Sequence, residues 1–344
     1  MRLALLAALA SRGRAALQDI SIGVGGQTAE PSSWECVADP GADTPIAARG
    51  TYDNQILTGS GWGILHVSTA DAAASGYSEE QSAFAAGCVE AYLTHREIYH
   101  FWYNYLRNEY RPTLAPPEKL LAFMEKQERW TRDNVEAARR EPASGAAEAT
   151  GDLEARFWRG MGLLMAQFDG LVAGVAAFAP PEERALLNHT SLYLLEAIGD
   201  LENLNGLMHD SPPPPPPPPL ARQDGPALPG QDPHYLDCSA LISLLPKAGA
   251  AAWEPGAPAF DIAAGHTTWR GYYAMLRIYK VYELGYTGQK VVSIASSPAL
   301  LHSKDDVSAA TSARAVAVAD SDGRPLLRTV PCHAAAGRDG DDQL

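Results

Sequence analysis

Apolar residues fall along this chain with two different spacings, and the spacings predict helices for most of its first half and, beyond a proline-rich linker, short strands around one further helix. From Gln55 to Thr69 the pattern is a strand broken by glycine. Ile56 and Leu57 come first, then Gly59, Gly61 and Gly63 around Trp62, then Ile64, Leu65 and Val67. Glycine within a strand pattern marks a bulge or a close approach of backbone. Ser78 with Gln81 has the form of a capping box that opens a helix. Behind it Phe84, Cys88, Tyr92, Ile98, Trp102 and Tyr105 recur at helical spacing and read as core. Pro116 to Arg140 predicts a second helix, with Leu120, Phe123, Met124 and Trp130 apolar. After a small, polar break at residues 142–150, Leu153 to Phe178 and Ala185 to Leu207 predict two more. Gln167, Asp169 and several glycines interrupt the apolar stretch from Met161 to Pro180, so it reads as a buried or amphipathic helix rather than a membrane span. Pro180 and Pro181 end it.

Ser211 is followed by eight consecutive prolines, Pro212 to Pro219. Proline has no N–H and a fixed φ, so this run joins neither a helix nor an inner strand. It forms an extended polyproline II spacer of roughly 25 Å. With Leu220 to Asp232, rich in Gly, Pro, Asp and Gln, it reads as a solvated linker rather than a ligand for a proline-binding module. Beyond it the apolar run Cys238 to Pro246 is strand-like, as is Phe260 to Ala264, across a Gly/Pro loop at Ala250 to Pro258. Thr267 to Tyr282 predicts a helix, with Trp269, Tyr273, Leu276 and Tyr279 at three- and four-residue steps. Lys290 to Ser296 is a β-branched strand and Arg314 to Ala319 a candidate for another. The expected organisation is a signal-like segment (1–20), a mostly helical part (21–210), a proline-rich linker and cleavage region (211–237), the part that carries Cys238 (238–318) and a divergent, disordered tail (319–344). The tail turns to Gly, Asp, Arg and Ala, and Gly337 to Leu344 reads as disordered.

Composition narrows the function. The chain has 344 residues, is 46% hydrophobic and 20% charged, and carries a formal net charge of −14. A sizeable core is therefore expected. Nucleic-acid binding is excluded for want of clustered Lys and Arg, and anionic membranes would repel the chain near neutral pH. No stable membrane insertion is expected. Met1-Arg2 followed by apolar Leu3 to Ala10, with Ala8-Leu9-Ala10 as a small-residue cleavage pattern, reads as a short secretory signal. Asn188-His189-Thr190 is a glycosylation sequon. The four cysteines, Cys36, Cys88, Cys238 and Cys332, are far apart and form no CxxC pair. Zinc and thioredoxin-like sites are thus not expected, and one disulfide is allowed without a pairing being fixed.

Several segments resemble the phospholipase B-like family. Asp237-Cys238-Ser239-Ala240-Leu241-Ile242 is similar to the start of that family's catalytic chain. Gly265-His266-Thr267-Thr268-Trp269, then Tyr272 and Met275-Leu276-Arg277-Ile278-Tyr279-Lys280, resembles its most recognisable block. Ser293 to Leu301 and Ser303-Lys304-Asp305-Asp306 are similar to the strand and Ser-x-Asp-Asp element that follow. Upstream, Gly61-Trp62-Gly63, Gln81 to Gly87 and Gly199-Asp200-Leu201-Glu202-Asn203-Leu204 resemble further blocks. The blocks run in family order over roughly residues 52 to 312. The resemblance implies an α+β fold, the N-terminal-nucleophile αββα four-layer sandwich, in a lysosomal or secreted hydrolase that cleaves itself so that a cysteine becomes a new N-terminus. After Ala313 the resemblance fades. Family members continue with further strands, including a Tyr-Asn-Asn segment, so the sandwich is expected to be incomplete.

On this reading Cys238 is the nucleophile and Asp237–Cys238 the cleaved bond. A terminal α-amino group, with a reference pKa of roughly 7.7 to 8.0, can accept the thiol proton, whereas an amide nitrogen cannot. Without the family context Cys238 would read as an inert core cysteine. His266 is a candidate for orienting the nucleophile or moving a proton, Trp269 for a pocket wall, and Arg277 for binding a carboxylate or phosphate or pairing with Asp305 or Asp306. The expected substrate is a phospholipid or an acyl amide, with no cofactor and no metal, and the oligomeric state is left open. The competing expectation is a non-catalytic family member or fragment acting as a binding protein.

Overall fold

The computed structural model describes residues 17–26, 31–55, 60–71, 75–140, 153–208, 239–246, 260–267, 274–287, 290–302, 307–311 and 328–329. Four strands come first: β1 (Gln18–Gly25), β2 (Glu35–Ala38), β3 (Ala48–Asn54) and β4 (Gly63–Thr69). Six helices follow: α1 (Glu79–Glu109), α2 (Glu118–Arg140), α3 (Leu153–Phe178), α4 (Pro181–Arg184), α5 (His189–Glu196) and α6 (Ile198–Met208). Then come β5 (Ser239–Pro246), β6 (Phe260–Thr267), β7 (Ile278–Leu284), β8 (Lys290–Ser296), β9 (Val307–Thr311) and β10 (Arg328–Thr329). The fold is α+β. Eight strands form one mixed sheet in the order β10-β9-β8-β7-β4-β3-β1-β2, and β5 and β6 pair separately. β4 and β7 run parallel, with Gly63 opposite Ile278 and Val67 opposite Tyr282, so the sheet joins the chain before the linker to the chain after it.

Side-chain alternation gives the sheet a dry face and a wet one. Ile20, Ile22, Tyr52, Leu65, Val67, Ile278, Tyr282 and Ile294 form one buried cluster with Phe84, Cys88, Val89 and Leu93 of α1. The opposite face carries Ser21, Arg49, Thr51, His66 and Glu283 around a shallow cleft of about 290 Å³. α1 opens with the expected capping box: the Ser78 side chain accepts from the Gln81 N–H and the Gln81 side chain from the Ser78 N–H. All but one of its predicted core positions are buried, and Tyr92 is half-buried against Phe178. α1 and α3 touch backbone to backbone, which only glycine permits. A Cβ at Gly87 would lie 1.9 Å from the Gln167 carbonyl, and one at Gly170 1.9 Å from that of Phe84. A disulfide between Cys36 and Cys88 ties β2 to α1, resolving the pairing that spacing left open.

Three expectations are corrected. The chain enters its sheet before the helices through three strands, β1 to β3, that were not anticipated, and in the glycine-rich stretch residues 60–62 are bends before β4 begins at Gly63, with 56–59 outside the described residues. Ala185 to Leu207 is not one helix; α5 starts at His189 behind an Asn188 cap, and α6 follows after Ala197. The helix expected over Thr267 to Tyr282 is not seen among the described residues of that span, and 268–273 lie outside them. β6 runs through Thr267, and β7 begins at Ile278 between β4 and β8. Hydrogen-bonded neighbours on both sides favour the extended chain there over the helical spacing of its aromatics. Leu153–Phe178 and Lys290–Ser296 match their predicted bounds, and α2 begins at Glu118, within its predicted span. α3 is long and apolar enough to cross a membrane by length and composition alone, and 50% of that stretch is buried within the fold. The candidate strand at 314–319 and the tail from 337 lie outside the described residues.

Candidate functional site

β5 begins at Ser239, the residue after Cys238, and pairs antiparallel with β6 along its whole length. Ser239 lies opposite Thr267, Ala240 opposite His266 and Leu241 opposite Gly265. The Gly265-His266-Thr267 segment is therefore at the same end of this hairpin as the start of β5. That is the end where a nucleophile and an assisting group would need to meet. Asp237, Cys238, Trp269, Asp305 and Asp306 lie outside the described residues, as does the His266 side chain. Arg277 is on no helix. It is half-buried directly before β7, and its carbonyl accepts a hydrogen bond from the Gly63 N–H at 2.9 Å. Asn188 is exposed, and its side-chain oxygen caps α5 by accepting from the Ser191 N–H at 3.0 Å.

A buried polar cluster lies between α1, α5, β7 and the turn after β8. Lys280 and Glu90 have side chains that are 0% exposed, with the ammonium 2.6 Å from Glu90 Oε1. Lys280 also donates to the Leu300 carbonyl at 2.6 Å, and the Tyr282 hydroxyl donates to Glu90 Oε2 at 2.5 Å. Burial and the Glu90 carboxylate push the Tyr282 hydroxyl well up, so it stays a donor. Nearby, the Leu301 N–H donates to both oxygens of Glu196, at 3.2 and 3.1 Å. Burial pushes Glu196 up to about 8, against smaller opposing effects of that hydrogen bond and of Lys280. Ser296 Oγ donates to the His302 carbonyl at 2.7 Å, and His302 Nε2 contacts the Glu196 carbonyl at 2.8 Å.

These contacts bolt residues 297–302 to the core, directly before Ser303 to Asp306. Sequence reasoning missed Glu90, Lys280, Tyr282 and Glu196 as a group. The signal was there in part: once Ile278–Leu284 is read as a strand, Ile278, Lys280 and Tyr282 share its inner face. A lysine on a buried face demands a partner. Among the described residues no group of three or more His, Cys, Asp and Glu side chains could hold a metal ion.

A second polar cleft, of about 320 Å³, lies between the end of β3 and α1, lined by Tyr52, Asn54, Tyr92, His95, Arg96 and Glu97 among others. Asn54 donates to Glu97 at 2.8 Å, and burial raises both Glu97 and the Tyr52 hydroxyl.

The sequence profile of the Phospholipase B family matches residues 48–321. Phospholipase B-like protein G of Dictyostelium discoideum is 34% identical over 273 residues, covering 76% of this chain and 41% of that protein. Phospholipase B-like 1 of Rattus norvegicus is 32% identical, over 75% of this chain and 41% of its own length. Phospholipase B of Crotalus adamanteus is 29% identical, over 74% and 41%. The chain thus spans about 41% of the length of these relatives.

Proposed function

The chain belongs to the phospholipase B family, and on that premise we propose that it carries the nucleophile half of a lumenal acyl hydrolase with Cys238 as its reacting group. The observation that supports this most is the β5–β6 hairpin. It starts one residue after Cys238, and its register sets Gly265, His266 and Thr267 against the first residues of β5. The hairpin is also separate from the eight-stranded sheet, as the first strands of a second sheet in an αββα sandwich would be. The Cys36–Cys88 disulfide favours an oxidising compartment, lysosomal or secreted. Exposed Asn188 offers its amide nitrogen to a glycan, because the helix cap uses the oxygen.

The chemistry runs in two stages. In maturation the Cys238 thiol adds to the Asp237 carbonyl, and the peptide nitrogen leaves with a proton as the new α-amine. Water then hydrolyses the Asp237 thioester, freeing the thiol and leaving a carboxylate at residue 237. In turnover the α-amine takes the thiol proton and the sulfur attacks an acyl carbonyl. The proton passes to the leaving alcohol, or to an amine if the substrate is an amide. A second water releases the fatty acid and restores the thiol. Both tetrahedral intermediates need oxyanion donors. His266 serves to orient the thiol, and Trp269, Arg277, Asp305 and Asp306 serve the pocket.

The test is intact mass after expression through a secretory host, with Cys238→Ala alongside. The expected result is two pieces, the second beginning at Cys238, and a single chain in the variant. A single chain in both overturns the catalytic reading and leaves a non-catalytic family member.

A further inference from the structure

Outside the region around the hairpin, α2 and α3 share an exposed aromatic cluster. Trp130 and Phe157 are each 57% exposed and Leu153 is 77% exposed. Trp158 joins them, with ring centroids 5.5 Å from Trp130 and 5.0 Å from Phe157, both edge-on. Leu153 and Phe157 are four residues apart on α3 and so lie on one face. Along the rest of these helices Leu120, Met124 and Val135 on α2 and Met165, Phe168 and Leu171 on α3 are buried, while Leu164 on α3 is 39% exposed. The cluster is therefore not a stray end of the core. Exposed apolar side chains grouped in this way, rather than scattered singly, are often functional.

Size and rim chemistry select the partner. Full aromatic side chains offer roughly 150–250 Å² each, so this patch amounts to about 300–400 Å². A stable dimer needs about 800 Å² from each partner. Exposed Lys126 and Asp133 flank Trp130 one turn to either side, and Glu154 and Arg156 lie beside Phe157. Alternating cations and anions complement headgroups that themselves carry both charges. Tryptophan also suits the headgroup layer, where its ring is buried and its N–H stays wet.

We infer that the Trp130–Phe157–Leu153 face of α2 and α3 is an adsorption surface for zwitterionic lipid, which brings the chain to an aggregated substrate without inserting it. The choice of lipid rests on the hydrolase reading above; the presence of a contact site does not. Because the net charge is −14, anionic bilayers bind more weakly than neutral ones.

The test is co-sedimentation with extruded phosphatidylcholine vesicles, with quenching of tryptophan emission by brominated phosphatidylcholine as a second readout. Trp130→Ser and Phe157→Ser are each expected to lower partitioning at least tenfold while leaving the melting temperature within a few degrees of wild type. Leu207→Ser, at another strongly exposed apolar residue (78%), should leave partitioning unchanged. Phosphatidylserine vesicles should bind less than phosphatidylcholine. Cys238→Ala should adsorb like wild type, which separates failure of this surface from failure of the catalytic reading. No binding by the wild type, or equal loss in the Leu207 variant, overturns the inference. So does a concentration-dependent dimer that Trp130→Ser dissolves, which would assign the face to a second copy.

Discussion

Two ionic clusters hold distant parts of this chain together, and they differ in one respect, access to water. Glu90, Lys280 and Tyr282 sit fully buried between α1 and β7. Asp169, Arg132, Glu128 and His189 form a ladder across α2, α3 and α5, with Arg132 bidentate to Asp169 at 3.0 and 2.7 Å and Glu128 2.8 Å from both Arg132 and His189. The ladder is well formed but 36% of the Arg132 side chain and 44% of that of His189 are exposed. Solvent replaces lost partners in the ladder and cannot in the buried cluster. The two therefore respond differently to loss of one member: the buried cluster is left with an uncompensated charge, whereas the outer ladder loses a modest, salt-sensitive increment.

The largest expected effect is at Lys280. Lys280→Met leaves the Glu90 carboxylate buried without its cation and should cost about 3–5 kcal/mol in denaturant unfolding. Adding Glu90→Leu and Tyr282→Phe should recover most of that loss, because apolar replacement of a whole buried cluster is close to neutral. If the single substitution costs no more than a surface pair, the buried assignment fails.

Next is Glu196, whose folded value of about 8 lies above its usual 4.5. Below pH 4.5 it is protonated in both folded and unfolded chains, and its stabilising effect is complete. As pH rises toward 8 the unfolded chain ionises first, and the contribution is lost. Between pH 5 and pH 9 stability should fall through this one group, by less than a fully enclosed carboxyl would give because 19% of its side chain reaches water. Glu196→Gln should flatten that fall, measured by urea midpoints across the range; an unchanged pH profile would place the carboxyl in water.

The smallest effect is in the ladder. Arg132→Ala should cost about 1 kcal/mol, and less in high salt. Burial pushes Glu128 up, but hydrogen bonds from His189 and Arg132 outweigh it and hold the carboxyl below its ordinary value. Its contribution is thus present above pH 4.5 and is lost as pH falls through the lowered value. Glu128→Gln should remove part of the acid sensitivity that Glu196→Gln leaves untouched.

What the sequence made legible was local. Ser78 and Gln81 are three residues apart and satisfy each other's backbone, so their capping box needs no tertiary partner to be read. Val291, Val292 and Ile294 gave β8 away through β-branching. Ile20, Ile22 and Val24 alternate with Ser21 and Gly23, a readable strand signal that went unread beside the signal-like segment before it. β7 was illegible for a physical reason. Ile278, Lys280 and Tyr282 face inward while Tyr279 and Glu283 face out, so a lysine occupies the dry side and disguises the alternation. The Cys36–Cys88 pairing likewise depends on β2 being laid against α1, which no local pattern states. Of the site, the family blocks pointed to Cys238 and His266, and the strand register adds a backbone reason to consider them together.

The parallel pairing of β4 with β7 has a consequence for a chain that is cut. Any break between Met208 and Ser239 would separate the two strands covalently, yet six paired positions from Gly63 to Ser68 and the Lys280–Glu90 contact would still join them. The products would behave as a tight two-subunit complex rather than as two proteins. Refolding them would become a second-order process that slows on dilution, whereas the intact chain would refold at a rate independent of concentration. A nick would thus leave the native shape in place while making its loss hard to reverse.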